Sequence, residues 1–365
     1  MCAKKPRPRV SLFPAAWKGI FGALAADSTA SGTRGARGAT RRSPKFMTAA
    51  SSCSLDLAWA RRIVEETYDS VWRPLRAHCA KLEQDRPLLA YTHCMRTRAH
   101  EIDAPWWAQT LLRDQHRAHT LWFPRDNRGD FIMCRLPKVG STSWAAAHSR
   151  AALRAQMKPW MRDNRPMEQL RASHGAPGAF TAVFLRDPLE RFVSGFLDKC
   201  AGVNVVEGHC GSHPLHRNGT RSGLMRAVSS SAAQRGASKA ALELFADTVP
   251  LQWNMHFIPQ ALACDELGRT LQNYSFVGVM NATYRAQIRQ LLRAARGDSS
   301  AEKSSTAFEA AVRQEFLNRP SRPTNKPAKS PLEHVSRSAA ARLLRLYSLD
   351  YFELGLPLPG WLGCL

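Results

Sequence analysis

The spacing of hydrophobic positions changes along the chain, and the changes mark its elements. Between residues 54 and 75, Leu55, Trp59, Ile63, Val64, Tyr68, Val71, Trp72 and Leu75 fall on one stripe of helical period, with arginines and acids between them. That spacing predicts an accessory helix packed on a larger body. Residues 84–125 are mixed and rich in Trp and His, and read as loops and short helices. From residue 130 the pattern alternates. "DFIMCRL" is a short apolar run of buried-strand type, and "STSWAAAHSRAALRAQM" (141–157) opens on hydroxyls and continues in strong helix formers. "FTAVFLR" (180–186) predicts a second strand and "DPLERFVSGFLDKC" a second helix. "YSFVGVM", from Tyr274, predicts a third strand and "ATYRAQIRQLLRAA" a third helix. "PLEHVSRSAAARLLRLYSLDYFELG" (331–355) predicts a final helix and short tail. Strand–helix alternation predicts an α/β fold: a P-loop-like parallel sheet flanked by helices, with an N-terminal helical extension.

Composition shifts set the expected organisation. Residues 1–52 read as a targeting or stem segment, 53–125 as the accessory helical region, 126–355 as the main α/β domain and 356–365 as a tail. A Gly/Ser/His-rich insertion fills 200–250, and the Ser/Pro/Lys-rich stretch 297–330 reads as an exposed loop. The N-terminus has a basic lead, an apolar stretch of about 17 residues interrupted by Pro14 and Lys18, and then "ALAA". It suits a signal peptide or signal anchor, and so a membrane anchor near the N-terminus. The alternatives are an organelle transit peptide, suggested by its Arg/Ser/Thr-rich, acid-poor continuation, and a plain disordered tail.

Charge narrows the partners. The formal net charge is +23, and residues 1–50 carry ten Lys/Arg against one acid, leaving +14 on the rest. Anionic partners are expected: nucleotide, acidic lipid, nucleic acid or polyanionic glycan. The nine cysteines include no C-x-x-C pair, which disfavours a zinc ribbon or thioredoxin-like site. Cys200, His209, Cys210, His213 and His216 lie close together but lack a flanking metal-ligand pattern; a Cys200–Cys210 or Cys210–Cys264 disulfide, or unpaired thiols, is expected instead, and no metal. Sequons at Asn218, Asn273 and Asn281 lean toward the secretory route.

Two loops carry the candidate chemistry. In "LPKVGSTSW", Pro137 stiffens the strand exit, Gly140 lets backbone N–H groups approach a ligand, and Ser141, Thr142 and Ser143 supply hydroxyls and a helix N-terminus. Lys138 adds a full charge. The Walker A pattern G-x-x-x-x-G-K-[ST] is absent, since this lysine follows the strand directly. Taken alone, the stretch is either a phosphate or sulfate site or an ordinary strand–helix turn with a solvated lysine. In "FLRDPLERFVSGF", Asp187, Pro188 and Glu190 form a capping box. Leu189, Phe192, Val193, Phe196 and Leu197 make the core face, and Arg191 and Ser194 share the other. Arg186 leaves the strand tip on the edge expected to hold Lys138, the edge where α/β sheets bind ligands. Ser194-Gly195 in mid-helix is locally unfavourable and asks for a reason beyond propensity.

Together these two stretches resemble the 5′-phosphosulfate loop and 3′-phosphate motif of the Golgi carbohydrate sulfotransferases, the group that sulfates chondroitin, dermatan and HNK-1 glycans. "NMHFIPQALAC" (254–264) is similar to that group's His-x-x-Pro-Gln segment, and "YSFVGVMNATY" and "YSLDYFELG" resemble its later signatures. The resemblance covers about residues 126–355 and leaves the 200–250 insertion unmatched. It implies a sulfotransferase fold and transfer of a sulfuryl group from 3′-phosphoadenosine 5′-phosphosulfate to a glycan hydroxyl, in the Golgi lumen or membrane. Pro137, Lys138, Val139, Gly140, Ser141, Thr142 and Ser143 would grip the 5′-phosphosulfate, and Arg186 and Ser194 the 3′-phosphate. Lys138 and His256 would be catalytic, His256 as general base, against a structural role for that histidine and Glu190 as an alternative base. The expected partner is a glycan acceptor, including anionic polysaccharide, and not nucleic acid, since no nucleic-acid module appears. The rival reading is a nucleotide- or polyanion-binding P-loop-like protein, kinase/NTPase-like or nucleic-acid-binding, without sulfotransfer.

Overall fold

Five strands build one sheet: β1 (His119–Phe123), β2 (Phe131–Arg135), β3 (Arg162–Asp163), β4 (Phe180–Leu185) and β5 (Phe276–Val279). Their spatial order is β3-β1-β2-β4-β5. The computed structural model describes residues 57–83, 88–113, 119–123, 130–154, 162–163, 179–199, 256–296, 306–318 and 335–364. The N-terminal segment read as targeting or stem, the 200–250 insertion with its Cys/His cluster and the Asn218 sequon lie outside the described residues.

β2, β4 and β5 are parallel neighbours, with Phe131 opposite Phe180 and Val183 opposite Val277. They coincide with the three predicted strands. β1 and β3 add an antiparallel edge, so the sheet is mostly rather than wholly parallel. β1 lies in a stretch read as loops and short helices. Five residues are too few for their own periodicity to decide, and pairing with β2 does.

Side chains alternate across β2, so Phe131 and Met133 face one layer and Ile132 and Cys134 the other. The first layer holds α5 (Ser141–Arg154), α8 (Tyr284–Arg296) and α9 (Ala307–Val312), which runs into a π-helical turn at Arg313–Asn318. Aromatic rings seal it: Phe131 lies 4.2 Å from Phe308, and Phe184 lies 4.9 Å from Tyr284 and 5.7 Å from Trp144, centroid to centroid. The expected exposed loop at 297–330 is therefore corrected over 306–318. Phe308, Ala311, Val312 and Phe316 are buried there at helical spacing, which the polar flanks conceal when the whole stretch is averaged.

Cys134 forms a disulfide with Cys264 at the start of α7 (Ala263–Thr270), placing that helix on the opposite layer. This excludes the Cys210–Cys264 pairing; Cys200–Cys210 lies outside the described residues. The predicted final helix is two, α10 (Arg337–Leu346) and α11 (Ser348–Glu353), broken at Tyr347. They pack on the predicted N-terminal helix, which runs as α1 (Ala58–Thr67), a π-helical turn at Tyr68–Trp72 and α2 (Arg73–Glu83). α3 (Leu88–Glu101) and α4 (Trp106–Arg113) follow, and Cys79–Cys94 ties α2 to α3.

Buried Arg76 on α2 bonds Glu266 of α7 at 2.8 Å, Glu353 of α11 at 2.6 Å and the Tyr91 hydroxyl at 2.9 Å. The Trp72 indole donates to Ser348 Oγ at 3.1 Å, and Tyr68 stacks on Phe352 at 3.6 Å. The helical extension is thus bonded into the layer behind the sheet. No helix among the described residues is long and apolar enough to cross a membrane.

Candidate active site

The loop between β2 and α5 alternates its backbone handedness. Lys138 has φ +66° and Gly140 φ +71°, while Val139 between them stays on the negative side. Such alternation turns successive N–H groups toward one side, the arrangement that receives anions. A left-handed lysine costs roughly 1–2 kcal/mol, so its surroundings must hold it there. Gly140 accepts the first helical hydrogen bond, from Trp144 N–H at 3.0 Å. The N–H groups of Ser141, Thr142 and Ser143 therefore open the helix without helical acceptors of their own. Glycine is required at 140 on two grounds. Its φ is left-handed, and a Cβ would lie 2.9 Å from Tyr284 Oη, which also accepts from the Trp144 indole at 3.2 Å.

Pro137 and Val139 are buried, so their side chains serve the core. Lys138, Gly140, Ser141 and Ser143 are half-buried and Thr142 is exposed.

The second tip meets the first. Arg186, at the end of β4, donates from Nη1 to the Lys138 carbonyl at 3.1 Å. Its Nε is buried, 3.5 Å from Glu190 Oε2 without a hydrogen bond to it. The expected convergence of the two strand ends on one rim is met. α6 (Pro188–Lys199) follows, capped as predicted by Asp187, whose Oδ1 accepts from Glu190 N–H at 2.8 Å. Burial pushes the Asp187 carboxyl up to about 7, against the pull of that N–H and of the Tyr351 hydroxyl, 3.0 Å from Oδ2. The Glu190 side chain turns to Arg186.

α6 presents Ser194, half-buried, and one turn later Asp198, whose carboxylate pairs with the Lys138 ammonium. Asp198 was not among the residues singled out from sequence, although its i+4 spacing from Ser194 was available as a signal. Arg191 does not share the open face. It is only 1% exposed and donates from Nη1 to the His256 carbonyl at 3.0 Å and from Nη2 to the Ile258 carbonyl. Burial lowers its pKa, while Tyr347 and Asp350 oppose that shift. Gly195 is explained by packing rather than by a ligand: a Cβ would come within 2.8 Å of the Phe257 ring.

His256 is thus carried on a segment bound to α6. Its carbonyl is held by Arg191, and the next carbonyl, Phe257, accepts from the Tyr347 hydroxyl at 2.7 Å. Gln260 grips the tip of β4 at both backbone groups: Arg186 N–H donates to Oε1 at 3.0 Å, and Nε2 donates to the Arg186 carbonyl at 2.8 Å. Asp350 secures the same segment through Ala261 N–H at 2.8 Å and Gln260 Nε2 at 3.4 Å. Burial raises the Asp350 carboxyl's pKa, with Arg191 opposing. No group of His, Cys, Asp and Glu among the described residues is placed to hold a metal ion.

A nest of N–H groups, a helix N-terminus, an ammonium and a guanidinium thus face one rim. The sequence model of the Sulfotransferase family matches residues 122–354. The chain belongs to that family. Neither a curated protein nor a solved structure matches it. As a sulfotransferase it is a transferase of sulfuryl groups, and the match runs from the end of β1 through α11, including both loops and the His256–Gln260 segment.

Proposed function

We propose that this sulfotransferase moves the sulfuryl group of 3′-phosphoadenosine 5′-phosphosulfate to a hydroxyl of a glycan in the Golgi lumen or membrane. The observation that carries the reading is the 3.1 Å contact between Arg186 and the Lys138 carbonyl, which joins the two strand tips that one bisubstituted nucleotide must bridge. Lys138, the backbone of 137–140 and the Ser141–Ser143 N–H and hydroxyl groups receive the 5′-phosphosulfate. Arg186 and Ser194 receive the 3′-phosphate, the feature that separates this donor from ATP.

Sulfuryl transfer resembles phosphoryl transfer in asking mainly for in-line positioning and charge stabilisation. The acceptor oxygen bonds to sulfur while the bond from sulfur to the bridging phosphate oxygen breaks. Lys138 stabilises the charge left on that oxygen, and adenosine 3′,5′-bisphosphate departs. His256 takes the acceptor's proton. The +14 charge outside the N-terminal segment supports an anionic polysaccharide as acceptor. Two disulfides, Cys79–Cys94 and Cys134–Cys264, and exposed sequon asparagines at 273 and 281 support an oxidising, secretory compartment.

The test compares thermal shifts with adenosine 3′,5′-bisphosphate, ATP and ADP, followed by transfer of radiolabelled sulfate from the donor to a glycan panel. The 3′,5′-bisphosphate should stabilise the protein most, with label appearing on a glycan. Equal shifts with all three nucleotides would return the site to generic nucleotide binding. A response to DNA or RNA alone would favour a nucleic-acid partner.

A further inference from the structure

The contact between Lys138 and Asp198 is unexpected for a lysine that must meet an anionic donor. The two residues are 60 positions apart, and the lysine side chain is only 14% exposed and the aspartate 32%. Asp198 lies one helical turn beyond Ser194 on α6, so a negative charge stands beside the residue that would receive the 3′-phosphate. Lys138 is also held at its other end, where Arg186 binds its carbonyl while its backbone is left-handed. Arg186 and Asp198, both in the β4–α6 unit, thus hold Lys138 at its carbonyl and at its ammonium.

We propose that Asp198 is a positioning residue. In the donor-free enzyme its carboxylate holds the Lys138 ammonium pointed into the site, and the donor's phosphosulfate takes that ammonium over on binding. The inference rests on the donor assignment above and deepens it. One ammonium cannot serve two anions fully. The incoming group has more negative charge and is also met by the 138–140 nest and the α5 N-terminus. The displaced carboxylate, a third exposed, regains water. Asp198 thereby competes with the donor while keeping the lysine aimed.

The competition predicts an unusual sign. Removing a charged residue from the site should tighten donor binding. Asp198→Asn should lower the dissociation constant of adenosine 3′,5′-bisphosphate several-fold, and the gain should shrink as salt is raised. Asp198→Glu, which keeps the charge, should stay near wild type. In a Lys138→Met background the effect of Asp198→Asn should largely vanish, because the two residues act as one unit. Calorimetric titration of the five proteins (wild type, the two Asp198 variants, Lys138→Met and the double variant), with thermal melts to confirm folding, reads all of this. If the wild type does not bind the bisphosphate, the donor assignment falls and the latch with it. If the wild type binds and Asp198→Asn binds no tighter, the latch alone falls. An equal gain with and without Lys138 would also overturn it, by making Asp198 a through-space repeller.

Discussion

The two tips of the rim are built by opposite means. The loop after β2 is a local construction: within seven residues, 137–143, it contains a proline, a left-handed lysine, a left-handed glycine and a helix N-terminus. The turn after β4 is short and does little for itself beyond the Asp187 cap. Its tip is fixed by Gln260, 74 residues away, and Gln260 is fixed in turn by Asp350, 90 residues further on. One tip is shaped by backbone conformation and the other by buried side-chain amides and carboxylates. A nest must leave its N–H groups open for a ligand, so the tether it receives from Arg186 falls on a carbonyl. A guanidinium that reaches across to its neighbour needs its own backbone held rigid from behind.

Substitutions can break this contrast. The largest effect is expected where the local loop carries its charge. Lys138→Ala should lower sulfate transfer by about a thousandfold or more, since loss of even one stabilising donor costs about 10²–10³ in rate. Arg186→Ala should be comparably damaging, and His256→Ala should slow turnover by about 10²–10⁴ with little change in donor affinity. Steady-state kinetics against donor concentration separates these, and near-normal turnover in Lys138→Ala would remove the mechanism.

Next come the distant supports. Arg191→Met removes the donor to the His256 and Ile258 carbonyls, at about 1–3 kcal/mol for the buried Ile258 carbonyl, and should lower the midpoint of denaturant unfolding accordingly. Gln260→Leu removes both clamps on Arg186. It should weaken donor binding about tenfold while leaving the β2 loop intact. Unaltered affinity would mean that the β4 tip holds itself.

Gly140→Ala tests the local loop without touching a charge. Its left-handed φ and the nearby Tyr284 hydroxyl predict a loss of about 1–2 kcal/mol, measurable as a lowered melting temperature, with a parallel loss of donor affinity.

The smallest effect concerns the layer behind the site. Burial, with Glu266 beside it and Arg76 opposing, pushes the Glu353 carboxyl up to about 7 from an ordinary 4.5. Between those values the folded protein holds a proton that the unfolded chain has released, so this group's contribution to stability falls as pH rises through that window. Melting temperatures of Glu353→Gln and wild type should therefore diverge in the variant's favour as pH goes from 5 to 8. A constant difference would count against the shifted carboxyl.

Sequence alone determined the three parallel strands, the helices that follow them and the β2 loop, because these depend on residues adjacent in the chain. Apolar runs, hydroxyl starts and a glycine between charged and small residues act over a few positions, and their meaning survives without the rest of the molecule. The Asp187 cap was legible for the same reason. Tertiary structure alone decided the fate of Arg191, which helical spacing placed beside Ser194 but which burial turns inward onto two carbonyls. It also decided that Phe308 and Phe316 belong to the core, that Cys264 pairs with Cys134, and that Asp198 faces Lys138. Each of these is a contact between segments far apart in the chain. A periodic pattern says which face of an element is special but not what lies opposite it, and charge pairing, disulfide choice and burial are properties of the opposite side.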